Sequence, residues 1–578
     1  MKRIISLLLA VVMLIGCMTV LAGCGAPEDE GAQIKVYLGN AVYDLDPSDY
    51  YGDSNAEQLM SLLFEPLFYV NEKGELTNGA AKNYWVDEVE NTITIELRET
   101  YWSDNTRLKA EDFVYAWCER ILNPNNPNPA AALFYDIENA AAAKTGDCSI
   151  SDIGVVATGT YELTITYREG ADYNRLLRNL ASVAASPVNQ AVVDAAPTYW
   201  SKTINYMVFN GPFSVSSVDF ENGEIKLSRN FGYHQHPDTV DYDNNVIPAD
   251  LYAVFSTGRE EVAVSYADIE SKTVFVMGDA SVADRAAHEN DAAKADDTSV
   301  YTYVFNTNNP LFAKPAVRRA LSMAIDRQAI AEAVVFAKAA NGFLPDVCGG
   351  SSEALIPVTG NISAATALIN QIDFTGIDKA FTLAVNDDEE SKVIAELVVA
   401  AWSQLGFDVT VEYLAPVAAT VAEVEILDSG VQVALKEASY GNADFDVLAV
   451  DWQLYSTDPF VGLAAFSSTL SGCGVDFVNN VRRTNITGWF SADYDFLVTE
   501  AMKANGEQRA ELLADAERLL CEQLPVCPIV FNQTFVMCGS ELSGLNINAF
   551  GNVSYTWATL ANYRDYLVDV ESDDEEEE

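Results

Sequence analysis

Apolar positions along the chain follow two periods in alternation. QIKVYLGN (33–40) is a nearly continuous apolar run of strand length, and NTITIELRE puts Ile93, Ile95 and Leu97 on one face of a second strand. YELTITY (161–167), EIKLSRN (224–230) and VYTYVFNTN (300–308) repeat the two-residue period. Helical spacing falls between them. Ser54-Asn55-Ala56-Glu57 has the form of a capping box ahead of Leu59, Leu62, Leu63 and Leu67, and Phe113, Ala116, Trp117 and Ile121 make a stripe after Lys109–Asp112. Pro315 opens a helix with Val317, Leu321, Ala324 and Ile325 on one face; at a first turn its missing N–H costs nothing. Arg318 and Arg319 on that helix read as structural, and Asp326 as the cap of a helix starting at Arg327.

AFTLAVND (380–387), a helical stripe of Val393, Leu397 and Ala401 closing at Gly406, and FDVTVEYL (407–414) form a strand–helix–strand unit, the pattern of a parallel pair with a crossover helix. Residues 415–440 stand outside this alternation as an added loop or helix. GEQRAELLADAERLLCEQ (506–523) carries Leu512, Leu513, Ala516, Leu519 and Leu520 on one stripe, Pro525 ends it, and CPIVFNQTFVM returns to strand. The class is mixed α/β with at least two sheets and no internal repeat.

The first apolar run, bounded by Lys2 and Arg3, ends in Leu21-Ala22-Gly23-Cys24 and then Gly, Ala, Pro and three acids. Its small-residue close is that of an export signal, not of a membrane span. The formal net charge of −51 leaves nothing to neutralise phosphates, so nucleic acid is excluded as a partner. Glu571 to Glu578 form a like-charge block that reads as a disordered tail. Seven cysteines follow Cys24 without a CxxC pair, which argues against zinc or redox chemistry. Most read as small buried apolar residues, with a Cys521–Cys527 or Cys527–Cys538 bridge left open. Only three histidines are present, so catalysis by a Ser-His-Asp or Cys-His site would have to use one of them. His234 and His236 with Asp238 have the look of a metal clamp, but a polar loop beside Pro237 explains them without a metal. No cofactor, no metal and no catalytic constellation is expected.

LLFEPLFYVNEKGELTNGAAKNY (62–84), YWSDNTRLKAEDFVYAWCERILNP (101–124), FNGPFSV (209–215), YTYVFNTNNPLFAKPAVRRALSMAIDRQAI (301–330) and DWQLYSTDPF (451–460) occur in one order along the chain. Together they resemble the family 5 extracellular solute-binding proteins, the oligopeptide and dipeptide receptors of ABC importers, over residues 34 to 566. Physical readings accompany the resemblance: Asn105 suits a left-handed turn, Trp102, Phe113, Tyr115 and Trp117 suit a core, and Asn210-Gly211-Pro212-Phe213 suits a rigid strand entry.

The resemblance implies a bilobal periplasmic-binding-protein-like fold of the type II, three-subdomain kind. Residues 33–60, 200–300 and 525–566 would form lobe I, 61–199 a subdomain packed on it, and 301–524 lobe II. Residues 1–23 would be a lipoprotein signal, Cys24 the lipidated first residue of the mature chain, 24–32 a linker and 567–578 the tail. A monomer anchored outside the cell would shut on a short peptide and pass it to a permease and, indirectly, its ATPases. Tyr51, Gly52 and Asp53 match the family's backbone-pairing segment; Asp451, Trp452, Gln453, Leu454, Tyr455 and Asp458 match the patch that holds the ligand's amino end. The pattern departs at Tyr455, where relatives carry the aspartate that meets the ligand's ammonium group, so Asp451 or Asp458 would substitute, or the Tyr455 ring would offer a cation–π contact. Ala130 likewise stands where some relatives carry a ligand-contacting tyrosine. The same fold with a metal chelate, oligosaccharide or opine as cargo, and a secreted hydrolase, remain as alternatives.

Overall fold

The computed structural model describes residues 33–40, 42–71, 73–219, 224–234, 250–256, 264–556 and 558–561. The signal, Cys24, the linker and the acidic tail lie outside them, as do His236 and Asp238.

Two 13-residue strands, Ala293–Phe305 and Val526–Cys538, run antiparallel through the middle of an 11-stranded sheet. Val447–Gln453, Ala380–Asn386 and Asp408–Leu414 follow on one side; Val276–Met277, Gln33–Asn40, Asp250–Ser256, Glu224–Arg229 and Phe213–Asp219 follow on the other. The long pair is interrupted. Asp296 opposes Gln533 and Val300 opposes Phe531, so residues 297–299 face the single residue Asn532. Extra residues on one strand bend it and turn its side chains aside, so the break between Asp296 and Val300 marks the middle of the sheet. The architecture is mixed α/β and bilobal, the class expected.

The strand–helix–strand topology is realised, but the buried face of its helix is Ile394, Ala395, Val398 and Trp402, while Leu397 of the expected stripe is exposed. Ala380–Asn386 pairs in parallel with Asp408–Leu414, and the helix Glu389–Gln404 crosses between them. Trp402 on that helix is fully buried; its ring meets Tyr303 and Phe381, and its indole N–H donates to the Leu321 carbonyl at 3.0 Å. A separate four-stranded antiparallel sheet runs in the order Ala81–Asp87, Thr92–Leu97, Glu162–Thr166, Val155–Gly159. Beside it Trp102, Phe113 and Trp117 are buried and Tyr115 is partly exposed. Asn105 sits at φ 64° in its turn, and Asp326 caps the helix Arg327–Val334 by accepting from the Ala329 N–H. Residues 415–440 fold as a hairpin, Val417–Val421 with Val424–Asp428, and a helix, Gly430–Ser439.

One reading is corrected and one left open is decided. The helix Ser54–Leu63 is capped by Asp53, not Ser54: Asp53 keeps an extended backbone while its side chain accepts from the Ala56 N–H, leaving the Ser54 hydroxyl free for another partner. The seven cysteines of the described residues are free thiols, so neither bridge forms; Cys527 is buried with its Sγ 3.3 Å from an Arg327 guanidinium nitrogen.

Asn210, wholly buried, shows how the strand entry is held. Its amide donates to the Glu65 carbonyl at 2.8 Å and accepts from the Glu65 N–H at 3.1 Å. Gly211 lies so close to Leu63 that a Cβ would come within 2.6 Å of its backbone. Asn210→Ala strands two buried backbone groups and should cost about 2 kcal/mol. The expected result is a lower urea midpoint at unchanged slope; an unchanged midpoint rejects this account.

Candidate ligand cleft

Where the long strands part, a cavity of about 870 Å³ opens, walled by both halves of the chain. Its floor is built on the strand Val447–Gln453, which pairs with Ala293–Phe305. Asp451 and Gln453, two residues apart, share one face of that strand. Asp451 accepts from the Ser54 hydroxyl at 2.6 Å and from the Asn532 amide at 2.5 Å. Burial, with Asp297, Glu390 and Asp53 nearby and Ser54 pulling the other way, pushes its carboxyl up to about 7. Asp297, in the break between the long strands, accepts from the backbone and hydroxyl of Ser299 and from Thr534; burial pushes it up to about 6. Gln453 spends its NH₂ on Thr298 at 2.7 Å and Glu57 at 3.2 Å.

The loop before Ser54 forms the next part of the wall, and its backbone is already bonded. The Gln432 side-chain amide accepts from Tyr51 N–H at 3.0 Å and donates to Tyr51 C=O at 2.9 Å, as a paired strand would. The Tyr51 hydroxyl donates to Pro127 at 2.6 Å. Gly52, at φ 55°, donates its N–H to the Tyr455 hydroxyl at 2.8 Å. Tyr455 in turn donates to the Tyr50 carbonyl at 3.0 Å and sets its ring edge-on to Tyr50 at 5.3 Å.

Of the nine ligand positions read from the sequence, Gly52, Asp53, Asp451 and Gln453 line the cavity. Tyr51, Trp452, Leu454, Tyr455 and Asp458 do not. Trp452 packs on Phe466 at 5.5 Å and Leu454 is buried beside Gly462. Tyr455 is 2% exposed with its hydroxyl committed inside the protein. Asp458 caps the helix Pro459–Ala464 and holds Arg509 through two 2.9 Å contacts, with Arg175 at 3.9 Å. A carboxylate so paired is a poor partner for a ligand amine.

Sequence reasoning missed Gln432, Asn532 and the wall residues Asp279, Arg285 and Asp387 to Glu390. The run Asp387-Asp388-Glu389-Glu390 was visible, placed after a strand at the first turn of a helix, where acids favour the dipole. The two walls touch across the cleft. The Val282 N–H donates to Glu389 at 3.1 Å, and Arg285 holds Glu390 and Asp279, each at 2.6 Å. Lys436 meets Asp49 at 2.6 Å, which fastens the helix Gly430–Ser439 to the loop 42–53.

His234 Nε2 lies 2.9 Å from Glu65, which also accepts from the Tyr233 hydroxyl at 2.8 Å; the other two members of the clamp, His236 and Asp238, lie outside the described residues. Among the described residues no group of three or more His, Cys, Asp or Glu is placed to hold a metal ion, and no helix is long and apolar enough to cross a membrane.

A family model for bacterial extracellular solute-binding proteins, family 5, matches residues 75–472. The chain belongs to that family. The oligopeptide-binding protein OppA of Bacillus subtilis is 24% identical over 92% of this chain and 94% of its own length. The periplasmic murein peptide-binding protein MppA of Escherichia coli is 27% identical over 91% of this chain and 93% of its own. Among solved structures, Haemophilus influenzae OppA in complex with the peptide RPPGFSPFR superposes with a TM-score of 0.73 at 18% identity, over 92% of this chain and 99% of that one. The chain therefore shares its scaffold with binding proteins over nearly its whole length.

Proposed function

We propose that this family 5 protein captures short peptides between its two lobes outside the cell and delivers them to an ABC import permease, tethered by a lipid on Cys24. The observation that carries the reading is the cavity walled by both halves of the chain: a ligand there touches both lobes only when they are shut, so binding shifts the open and closed populations. Relatives named for oligopeptides and murein peptides support peptide as the cargo class. Asp451 is the carboxylate assigned to a ligand amine. Native mass spectrometry of the purified protein should show a mixture of short peptides carried with it; one non-peptide mass would replace peptide by another solute.

A second reading, the same fold with a non-peptide cargo, is favoured by one contact. Gln432 and Tyr455 already occupy the backbone of Tyr51 and Gly52, an edge that an extended peptide would otherwise pair with. Gln432→Ala separates the two: peptide affinity should rise several-fold if the edge is then used, and a non-peptide cargo should be indifferent.

The tether has its own test. Two acyl chains hold a protein at a membrane where one does not, so Cys24→Ser should move most of the protein from the membrane fraction to the soluble fraction and abolish incorporation of labelled palmitate. Labelling that survives the change refutes lipidation at Cys24.

A further inference from the structure

Nine carboxylates line the cavity against two cationic side chains. Arg285 is held by Asp279 and Glu390, and Lys392 lies 2.7 Å from Asp387. Both walls carry the acids. Asp53, Asp279, Asp284 and Asp297 come from one lobe and its edge, Asp387 to Glu390 and Asp451 from the other. Closing the empty cleft brings like charges together in a partly desolvated space, which opposes closure unless something positive enters.

Acids alone would describe a solvated groove; the floor adds an independent feature. Gln453 is 2% exposed, and its side-chain oxygen is buried without a hydrogen-bond partner. The Asn532 oxygen is buried and without a partner as well. Neither amide can reverse to cure this. The Gln453 NH₂ already serves Glu57 and Thr298, and the Asn532 NH₂ serves Asp451 and the Ser299 hydroxyl at 2.9 Å. Turning either one would set an oxygen against a carboxylate. Asp451 and Asp297 are meanwhile met by neutral donors only among the described residues. The floor is thus a set of acceptors, two of them empty, that lacks a donor. A buried acceptor without a donor costs free energy that a bound N–H group recovers. An ammonium supplies three donors and a positive charge together.

Resting on peptide capture as the reading of this cleft, we infer that the protein selects ligands bearing two or more positive charges, one ammonium seated on the acceptors of Asp451, Gln453 and Asn532 and another between the acidic walls. The chemical class is a short basic peptide. A free polyamine shares the chemistry and is distinguished by the test. Selection and closure are then one event, because the cation that fits the floor also removes the repulsion between the walls.

The test is calorimetric titration of the full mature chain, dialysed free of carried ligand, with trilysine, trialanine, triglutamate and spermidine at pH 7.5, in 50 mM and 500 mM salt. Trilysine should bind at least a hundredfold more tightly than trialanine, triglutamate should not bind, and the gap should narrow in high salt as walls exposed to solvent are screened. Trialanine equal to trilysine overturns charge selection and leaves peptide capture standing. Spermidine binding while no peptide does overturns peptide capture and keeps charge selection. No binding by any of the four overturns both. Asp451→Asn should weaken trilysine and trialanine alike, because either peptide's terminal ammonium seats on that carboxylate, whereas loss of a wall acid should weaken trilysine alone. Should that variant fail to fold, Glu389→Gln, exposed on the first turn of its helix, reduces the trilysine preference without touching the floor.

Discussion

Lowering the pH from 8 to 5.5 weakens capture of a polycationic ligand by roughly thirtyfold through Asp451 alone. A seated ammonium requires this carboxyl to be ionised. In the empty cleft burial holds it up at about 7, with Asp297, Glu390 and Asp53 adding repulsion and Ser54 opposing it. Below that pH a proton must leave before the ligand can enter, so affinity falls by up to tenfold per pH unit for each such group. Asp297, raised to about 6 by burial, adds to the loss at the acid end. The ligand-free protein responds the other way. A carboxyl whose pKa rises on folding binds a proton in the folded chain that the unfolded chain has already released; its burial penalty is full above pH 7 and fades as pH drops towards 4. Asp388, raised to about 6 by burial, acts in the same direction. Asp373 and Asp476, lowered mainly by hydrogen bonds from Thr375 and Asn479, oppose this only at more acid pH. Over pH 8 to 5.5 the melting temperature of the empty protein should therefore rise while affinity for trilysine falls. Affinity that is flat across this range, or a melting temperature that drops, removes Asp451 from the ligand site.

The fold was legible because local patterns carry it. Alternation in NTITIELRE, the strand–helix–strand spacing of 380–414 and the stripe of 506–523 each report the burial of one face, and a face is a local property. Even so, a one-residue ambiguity at Asp53-Ser54 was beyond pattern reading. Both residues can cap, and the choice falls to Asp53 because Ser54 is drawn to Asp451, 397 residues away.

The site was legible in part, for the complementary reason. Position along the family's motifs located Gly52, Asp53, Asp451 and Gln453 on the cavity. The roles of Tyr455 and Asp458 depend on partners that motif spacing does not encode. Tyr455 is claimed by Gly52 and Tyr50 across about 400 residues, and Asp458 by Arg509 on another helix. Gln432 lay in the one stretch with no place in the pattern, and its partner Tyr51 is 381 residues away. Arg285 had no sequence signal at all: a lone arginine in an acidic chain means nothing until the folded chain sets it between Asp279 and Glu390.

That arginine carries the largest single conformational effect. Arg285→Gln should shift the equilibrium between shut and open lobes towards open by roughly thirtyfold, about 2 kcal/mol. Arg285 is 7% exposed; its guanidinium stacks over the Phe535 ring at 5.3 Å and donates to the Ala280 carbonyl at 2.9 Å and to the Val334 carbonyl at 3.3 Å, so its position is fixed by more than its acids. Its bond to Glu390 joins this wall of the cleft to the first turn of the helix Glu389–Gln404. Removing the charge loses that bond and leaves Asp279 and Glu390 facing each other without a cation between them. Small-angle scattering of the empty variant should give a larger radius of gyration than wild type, and saturating trilysine should bring it back, since the ligand restores the missing positive charge. Glu390→Gln is the control of sign. It leaves an oxygen that still accepts from Arg285 but removes the charge, and it takes an acid from the wall, so it should open the lobes less and weaken trilysine more. Equal scattering from all three proteins would mean that Arg285 holds nothing shut, and that closure is governed elsewhere in the contact between the lobes.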